Sequence, residues 1–354
     1  MLFQNEQWKN DIDLVLPVFE ELSSESGSSF FITGSAGLIG TAVVHALLRF
    51  NDKFKTNFRV IATGRTEKSL NERFADCKDR KDLILSVFDA EKPAIDPSLG
   101  IDYIIHAASN ASPKAIIENP VETLIGNICG LSYLLAYAKE NAVKRVLFVS
   151  SSEVYGRKDQ STPSLETEYG SIDPLNPRNA YSYGKCAAET LCVSFLHEYD
   201  VDSVIVRPGH IFGPTCSEKD VRVSSAWAYD CAYRKDIVMK SAGSQIRSYC
   251  YCLDCASAIL KVLVKGEKGQ AYNISNKDSI MSIRRLAEIM TSHAGVELVT
   301  DIPSEAEAKA FNPMENSSLD STKLENLGWR GVFDAKSGVS HTIDILREVS
   351  ALEQ

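Results

Sequence analysis

The sequence predicts an α/β fold in which a doubly wound parallel sheet is followed by a smaller C-terminal α/β lobe. From Phe30 to about Tyr169, short apolar runs alternate with helical patterns, which is typical of parallel strands joined by crossover helices. After Gly209 the pattern becomes irregular, with polar loops and short helices. The strands predicted after the first one lie at 58–62, 83–88, 103–105, 146–150 and 204–208.

A glycine-rich turn follows the first predicted strand. Gly34, Gly37 and Gly40 are spaced three apart, between the apolar run at 30–32 and an amphipathic segment. In this order, the first glycine lets the chain leave the strand, the second lets the backbone approach a pyrophosphate, and the third lets the helix pack on the sheet. The start of the helix offers unpaired N–H groups and a positive dipole end to phosphates. A glycine triplet also occurs in ordinary turns, but the strand before it and the helix after it favour a Rossmann-type dinucleotide-binding unit.

These patterns divide the chain into three parts. Residues 1–28 are predicted as an N-terminal helical extension, 29–208 as the dinucleotide-binding domain and 209–354 as a substrate-binding lobe, with chain crossings between the last two. Within the lobe, a short charged surface helix is expected at 305–310. The extension is predicted as one helix over 5–22, used for packing or for a subunit contact, whose apolar side comprises Trp8, Ile12, Leu14, Val15, Val18 and Phe19.

A second motif combines hydroxyl, phenol and amine groups. Ser151 follows a predicted strand, and Tyr181 and Lys185 are four residues apart, so that they share one face of a helix. A lysine ammonium one turn away favours the phenolate and is expected to lower the pKa of Tyr181. A phenolate beside a serine hydroxyl can take a proton from an alcohol while a hydride leaves the same carbon. An exposed helix pair has the same spacing, but its combination with the glycine turn favours catalysis.

Together, these residues resemble the extended short-chain dehydrogenase/reductases that modify nucleotide sugars. The resemblance runs from about Phe30 to Trp329 and includes the TGxxGxxG turn, the SSSEVYG strand end and the YxxxK pair. Further matching landmarks are Asp89, His106-Ala107-Ala108, Asn127-Ile128-Cys129-Gly130, Arg207-Pro208, Phe212-Gly213-Pro214, Gly243-Ser244-Gln245-Ile246-Arg247-Ser248, Asp254 and Leu327-Gly328-Trp329. The resemblance implies a Rossmann-type fold, a bound nicotinamide dinucleotide, a nucleotide-sugar substrate and a role in polysaccharide biosynthesis. It also implies a homodimer paired through helices at about 123–141 and 181–198.

The resemblance carries over a set of cofactor contacts. We expect NAD to be bound by Gly34, Gly37, Leu38, Ile39, Gly40, Arg65, Asp89, Ala107, Ala108, Asn127 and Lys185. Asp89 is expected at the adenine end, although an aspartate after a strand is also a common turn former. NADP remains an alternative, because Gly64 stands where NAD-binding relatives carry an acidic residue, and Arg65 could pair with a 2′-phosphate.

The residues after the catalytic strand bear on the reaction. Ser151 is expected to bind the sugar C4 oxygen beside Tyr181. The 4,6-dehydratases carry Asp-Glu where this chain has Ser152 and Glu153, and a serine hydroxyl is a poor proton donor to a leaving hydroxide. Ser-Glu before Val-Tyr-Gly resembles UDP-glucuronate decarboxylases, so that Ser151, Ser152, Glu153, Tyr181 and Lys185 are the predicted catalytic residues. A 4-epimerase, a 4,6-dehydratase, a net NADPH-dependent reductase and a non-catalytic dinucleotide-binding protein remain open.

Four residues are candidates for the substrate. Ser109, His210, Arg222 and Arg247 are predicted to bind it, and the guanidinium of Arg247 suits a diphosphate. His210 stands where relatives have an asparagine that touches the nucleotide or sugar. A structural histidine and a surface ion pair are the alternatives for His210 and for the two arginines, respectively.

Composition limits the partners. The formal net charge of −9 argues against nucleic acid. No run of 18 apolar residues occurs, which predicts no membrane span, and the N-terminus lacks the layout of a signal peptide. Cys250, Cys252 and Cys255 cluster, but without a second ligand pair they are expected to be buried thiols and no metal site is predicted. Nine scattered cysteines predict a reducing compartment, and hence a cytoplasmic location.

Overall fold

The computed structural model describes residues 2–109, 111–158, 162–301 and 314–352. The expected helix at 305–310 lies outside these residues. The strands are β1 Ser29–Thr33, β2 Arg59–Gly64, β3 Leu83–Val87, β4 Tyr103–His106, β5 Arg145–Val149, β6 Ser203–Pro208, β7 His210–Phe212, β8 Ile237–Met239, β9 Ile246–Tyr251, β10 Ala271–Ile274, β11 Ile280–Ser282, β12 Leu298–Thr300 and β13 Asn316–Ser317. The α-helices are α1 Glu6–Val15, α2 Leu38–Phe54, α3 Glu67–Arg73, α4 Pro113–Glu118, α5 Pro120–Glu140, α6 Ala180–Tyr199, α7 Val223–Ala232, α8 Cys252–Lys265, α9 Ile283–Ala294, α10 Thr322–Glu325 and α11 Ala335–Leu352.

Seven strands form one parallel sheet in the order β10-β6-β5-β4-β1-β2-β3. Alternate residues of its central strands point to opposite faces. Phe30 packs into the core shared with α2 and α8, whereas Phe31 packs into the core shared with α5 and α6. Helices therefore cover both faces, so that all five residues of β1 are buried. The predicted doubly wound parallel sheet is confirmed.

The C-terminal half contributes to both parts of the molecule. β9 pairs with β7, β11 and β13 in a small second sheet, and β12 pairs with β8. β10 and α8 come from beyond the predicted boundary at residue 208, yet β10 forms the edge of the main sheet and α8 packs on α2. The boundary itself remains a prediction.

The N-terminal extension differs from the single helix predicted over 5–22. α1 ends at Val15, and a 3-10 segment with a bend at Phe19 continues over Leu16–Glu25. Pro17 enters this segment near its start, where the missing N–H favours the end of the α-helix. Leu14, predicted on the apolar side, is 55% exposed, because it projects away from the buried stripe that includes Trp8.

α5 also requires a correction. Although no uninterrupted run of 18 apolar residues exists, α5 is long and apolar enough in composition to cross a membrane, and it is the one such helix in the described ranges. Helices that cover a parallel sheet reach the same length and composition. In this fold α5 packs against β5 and along α6.

Candidate active site

The glycine turn brings the chain very close to the neighbouring strand end. Gly34 has a φ of +69°, and a Cβ there would lie 2.8 Å from the Cα of Ala108. A Cβ on Gly40 would lie 2.3 Å from the carbonyl oxygen of Gly34. Gly37 is the N-cap of α2. Because these three residues have no side chains, the backbone N–H groups of the turn and the N-terminus of α2 are accessible to a ligand. This arrangement fits the diphosphate of a dinucleotide.

Hydrogen bonds hold the neighbouring strand ends together. The Ala108 N–H donates to Thr33 Oγ1 at 3.1 Å, which keeps Ala107 and Ala108 beside the turn. At the start of α2, Thr215 Oγ1 donates to the Leu38 carbonyl at 2.7 Å, and Ile39 lines the large cavity described below. The predicted cofactor residues of β1, α2 and β4 therefore lie at one edge of the sheet.

The end of β2 carries no carboxylate. Gly64 closes the strand, and the following Arg65 is exposed. Asp89 follows β3, the neighbouring strand, and its Oδ1 accepts a hydrogen bond from the Glu91 N–H at 3.1 Å. This hydrogen bond is typical of a turn-forming aspartate, which is the alternative role that the sequence allowed for Asp89.

The predicted catalytic groups meet at the C-terminal end of β5. The buried Tyr181 side chain contacts the hydroxyls of Ser151 and Ser109. Lys185 Nζ donates to the Val149 carbonyl at 2.8 Å and lies 4.7 Å from the ring centroid of Phe148.

Ser109 is itself positioned by α5. Its hydroxyl donates to Asn127 Oδ1 at 3.0 Å, and Asn127 Nδ2 donates to the Thr123 carbonyl at 2.7 Å. The cofactor candidate Asn127 thus fixes a hydroxyl that contacts Tyr181.

The expected direction of the Tyr181 pKa is wrong for the protein described here. Burial, and after it the negative charge of Glu153, raises the pKa of Tyr181 to about 12. Lys185 does not offset this, because burial lowers the pKa of its own amine to about 7. The helical spacing of the two side chains was read correctly, but desolvation outweighs their charge interaction.

Glu153 has a partner that sequence reasoning missed. Two guanidinium nitrogens of Arg178 donate to its two carboxylate oxygens at 3.3 and 3.2 Å, in a bidentate arrangement. Ser182 Oγ donates to Glu153 Oε2 at 3.3 Å. Arg178, Tyr181 and Ser182 are spaced as i, i+3 and i+4 around the start of α6, and this spacing was the available signal.

A cavity of about 600 Å³ joins these groups to residues of the C-terminal half. Its lining includes Ser109, Ser151, Ser152, Glu153, Tyr181, Lys185, His210, Arg222 and Arg247, so that the predicted catalytic and substrate residues share one site. Its cationic side chains are Lys114, Arg178, Lys185, Arg222, Lys240 and Arg247, and within the described ranges the lining carboxylate is Glu153. Ion pairs with Glu153, Asp220 and Asp301 compensate Arg178, Arg222 and Lys240, respectively. The positive charge that remains, that of Arg247 above all, suits an anionic ligand.

The two arginines of the C-terminal half differ in their surroundings. Arg247 is 3% exposed and donates to the Ile246 carbonyl at 2.8 Å, and no described carboxylate forms an ion pair with it. Burial lowers its pKa. Arg222 Nε donates to Asp220 Oδ2 at 2.9 Å, so that its charge is partly compensated.

Comparison with known proteins agrees with this site. A model of the NAD dependent epimerase/dehydratase family matches residues 30–275. The chain is 27% identical over 334 residues to UDP-glucuronic acid decarboxylase 1 of Xenopus tropicalis, covering 94% of this chain and 75% of that protein. It is 25% identical over 338 residues to dTDP-D-glucose 4,6-dehydratase of Homo sapiens, covering 90% and 89%.

The fold is shared with a solved structure. UDP-glucuronic acid 4-epimerase from Bacillus cereus, in complex with UDP-glucuronic acid and NAD, superposes with a TM-score of 0.75 at 19% identity, covering 91% of this chain and 99% of that one. The family match extends over most of the chain and includes both the glycine turn and the YxxxK pair. The chain therefore belongs to the NAD-dependent epimerase/dehydratase family of nucleotide-sugar-modifying enzymes.

Proposed function

We propose that this protein decarboxylates UDP-glucuronate through a transient 4-keto sugar. The observation that carries the proposal is Glu153, a carboxylate held by Arg178 and Ser182 at the cavity and preceded by Ser152. Serine at that position lacks the acidity that helps a hydroxide leave, which disfavours dehydration. The serine at position 152 does not affect Ser151 and Tyr181, the two groups that act at C4.

NAD, which the glycine turn would hold, would supply reversible acceptance of a hydride from C4. The residues of this chain then have three tasks. Tyr181, as phenolate, takes the proton of the C4 hydroxyl, and Ser151 orients that oxygen. The resulting 4-keto acid loses carbon dioxide, because the electron pair left on C5 is delocalised into the ketone. A proton then takes the place of the carboxyl group at C5, and Glu153 lies at the cavity to position the water or group that delivers it. When the ketone is reduced again, Tyr181 gives its proton back to the C4 oxygen.

Charge at the Glu153 end of the cavity supports an acidic sugar. Lys114 on α4 and Arg178 line this end, and α4 contacts the 3-10 turn that carries Arg178. Arg222 and Arg247 approach from the C-terminal half. A UDP-uronate has negative charge both on its diphosphate and on its sugar. Since Arg178 is paired with Glu153, Lys114 is the cation at this end that supports the sugar carboxylate, and Arg247 supports the diphosphate.

A 4-epimerase is the second candidate. Epimerisation requires Ser151, Tyr181 and Lys185 together with space for the keto sugar to turn, and a cavity of about 600 Å³ provides that space. A net reductase using free NADPH is favoured only by the exposed Arg65 at the end of β2.

The test is mass spectrometry of the purified protein incubated with UDP-glucuronate, with and without added NAD. We expect a product lighter by carbon dioxide, and no product from Tyr181→Phe. Unchanged mass with a new chromatographic peak would replace decarboxylation by epimerisation. Steady consumption of added NADPH would replace both by net reduction.

We also propose a UDP-linked substrate, a homodimer and a cytoplasmic location. Exposed apolar side chains on α5, namely Val121 and Ile125, support pairing through this helix and α6.

Cell fractionation with an antibody to the chain tests the proposed cytoplasmic location, and recovery of the chain in the membrane fraction would contradict it.

A further inference from the structure

His210 lines the cavity together with Arg222 and Arg247, and both guanidinium groups act electrostatically on its ring. It begins β7, which runs parallel to β9 and pairs His210 with Tyr249. Arg247 lies two residues before Tyr249 and thus on the same face of β9. The Arg222 side chain approaches from the segment before α7, and all three side chains line the cavity.

The hydrogen-bonding capacity of His210 is not used within the described chain. Its Nδ1 is buried without a hydrogen-bond partner, and its ring meets the Tyr249 ring edge-on, with centroids 5.8 Å apart. A structural histidine in a core normally has a partner for such an atom. His45 and His106 also bury one unpartnered ring nitrogen each, but their other nitrogen is hydrogen-bonded to Trp8 and Thr33, respectively. His210 lines the cavity and has no such bond among the described residues, which favours a ligand over a purely structural role.

We propose that His210 is the third member of a diphosphate-binding cluster with Arg222 and Arg247, and that it takes up a proton when a nucleotide sugar binds. The guanidinium of Arg247, and that of Arg222 to the extent that Asp220 leaves its charge uncompensated, repel a third positive charge, so that the imidazole is neutral before an anion arrives. A diphosphate placed among the three groups reverses that balance and stabilises the imidazolium, which donates to a phosphate oxygen.

The charges around His210 agree with this order of events. Burial first, and then Arg247 and Arg222, lower the pKa of His210 to about 3. Tyr249 is the further titratable group against the ring, and its pKa is raised by burial. The nearby negative charges are Glu153, which raises the pKa of Arg247 but does not outweigh its burial, and Asp220, which forms an ion pair with Arg222.

The proposal requires only a diphosphate-linked sugar and does not depend on decarboxylation. Its test is isothermal titration calorimetry of UDP-glucose in the Tyr181→Phe background, where binding is not followed by turnover. UDP-glucose is suitable because its diphosphate diester has no group that titrates near neutral pH. Titrations in two buffers with different ionisation enthalpies give the number of protons taken up.

We expect uptake of about half a proton or more at pH 6, and an affinity that weakens as pH rises, by at most about tenfold per pH unit for one proton. His210→Asn introduces a polar amide that cannot be protonated near neutral pH, and we expect it to abolish both effects. His197→Asn, at an exposed position on α6, is the matched control and should leave them unchanged.

Several outcomes would overturn the proposal. Binding without proton uptake would do so, and so would uptake that persists in His210→Asn, which would assign the proton to another group such as Lys185. If UDP-glucose does not bind, the titration is repeated with dTDP-glucose, which has the same diphosphate. If neither nucleotide sugar binds, the proposed diphosphate-binding cluster is refuted. If His210→Asn does not fold, as judged by thermal unfolding, His210→Gln takes its place.

Discussion

At the residue scale, burial governs the chemistry of this site more than sequence spacing does. Tyr181 and Lys185 lie one helical turn apart, yet desolvation moves both pKa values towards the neutral forms, to about 12 and about 7. Formation of the Tyr181 phenolate therefore costs free energy in this environment. Groups that change the field at Tyr181 are expected to change the pH dependence of turnover.

Tyr181→Phe tests the base itself. The substitution removes the hydroxyl that takes the C4 proton, and we expect kcat to fall by about 10³-fold or more, within the range of general acid–base effects. NAD binding, followed by quenching of protein fluorescence, should change by less than about twofold, because the hydroxyl contacts Ser151 and Ser109 within the cavity. Retention of wild-type turnover would contradict the assigned role.

Arg178→Gln tests the ion pair with Glu153. Without the guanidinium, the carboxylate acts on Tyr181 without its counter-charge, and the pKa of Tyr181 rises further. The rising limb of kcat/KM against pH, which reports the phenolate, should therefore move to higher pH. Arg178→Lys keeps the charge without the two-pronged geometry, so the limb should return towards its wild-type position. A pH profile unchanged in Arg178→Gln would restrict Arg178 to a structural role.

At the element scale, strand ends and helix starts assemble the site. β1, β4 and β5 all end at the same edge of the sheet, because parallel strands present their C-terminal ends together. α5 and α6 pack along each other on one face of this sheet and leave Val121, Ile125 and Val193 exposed. The same pair of helices that positions Asn127 and Tyr181 thus offers an apolar surface to a second copy.

Ile125→Glu tests that surface. Ile125 is 45% exposed on α5, and a carboxylate there would be buried at an α5–α6 contact between two protomers. We expect the wild-type mass of a dimer to fall to that of a monomer in light scattering coupled to size exclusion. Leu14→Glu, at an exposed position on α1, is the control and should keep the wild-type mass. A wild-type monomer would contradict the proposed dimer directly.

At the scale of the whole molecule, buried neutral histidines make folding sensitive to acid. Burial lowers the pKa of His45, His106 and His210 to about 3 each. At pH values between about 3 and the unfolded value near 6.5, the unfolded chain binds protons that the folded chain does not. The contribution of these histidines to the free energy of unfolding should therefore decrease as pH falls through this window, by about 1.4 kcal/mol per pH unit for each histidine. The buried Asp254, whose pKa is raised to about 7 by burial, acts with the opposite sign.

His45→Gln isolates one of these contributions. His45 Nδ1 accepts a hydrogen bond from Trp8 Nε1 at 3.0 Å and joins the N-terminal extension to α2, and a glutamine oxygen can also accept it. We expect the dependence of unfolding free energy on pH, measured by urea denaturation between pH 6 and 4.5, to lose about one proton in this variant. An equally steep dependence would show that His45 is not buried as a neutral group.

Predictions that depend on local sequence signals agree with the structure, whereas features that depend on contacts between distant residues were missed. The first six strands of the chain and the glycine turn were predicted to within one or two residues, since apolar runs and glycines are local signals. The strands from β7 onwards, including β10 at the edge of the main sheet, were not predicted. The N-terminal helix was predicted too long, because the effect of Pro17 was not weighed against the apolar pattern. Arg178 was missed because the partner of a carboxylate depends on a contact across 25 residues.

By itself, the sequence determined the doubly wound sheet, the dinucleotide-binding turn and the identity of the serine, tyrosine and lysine at the site. Each of these features can be recognised from the spacing of residues along one strand or one helix. Only the tertiary structure decided which groups share the cavity, that Glu153 is held by Arg178, that Tyr181 resists ionisation and that His210 lines the cavity together with Arg222 and Arg247. The physical reason is that burial and charge interactions depend on distances across the folded chain, which local periodicity does not contain.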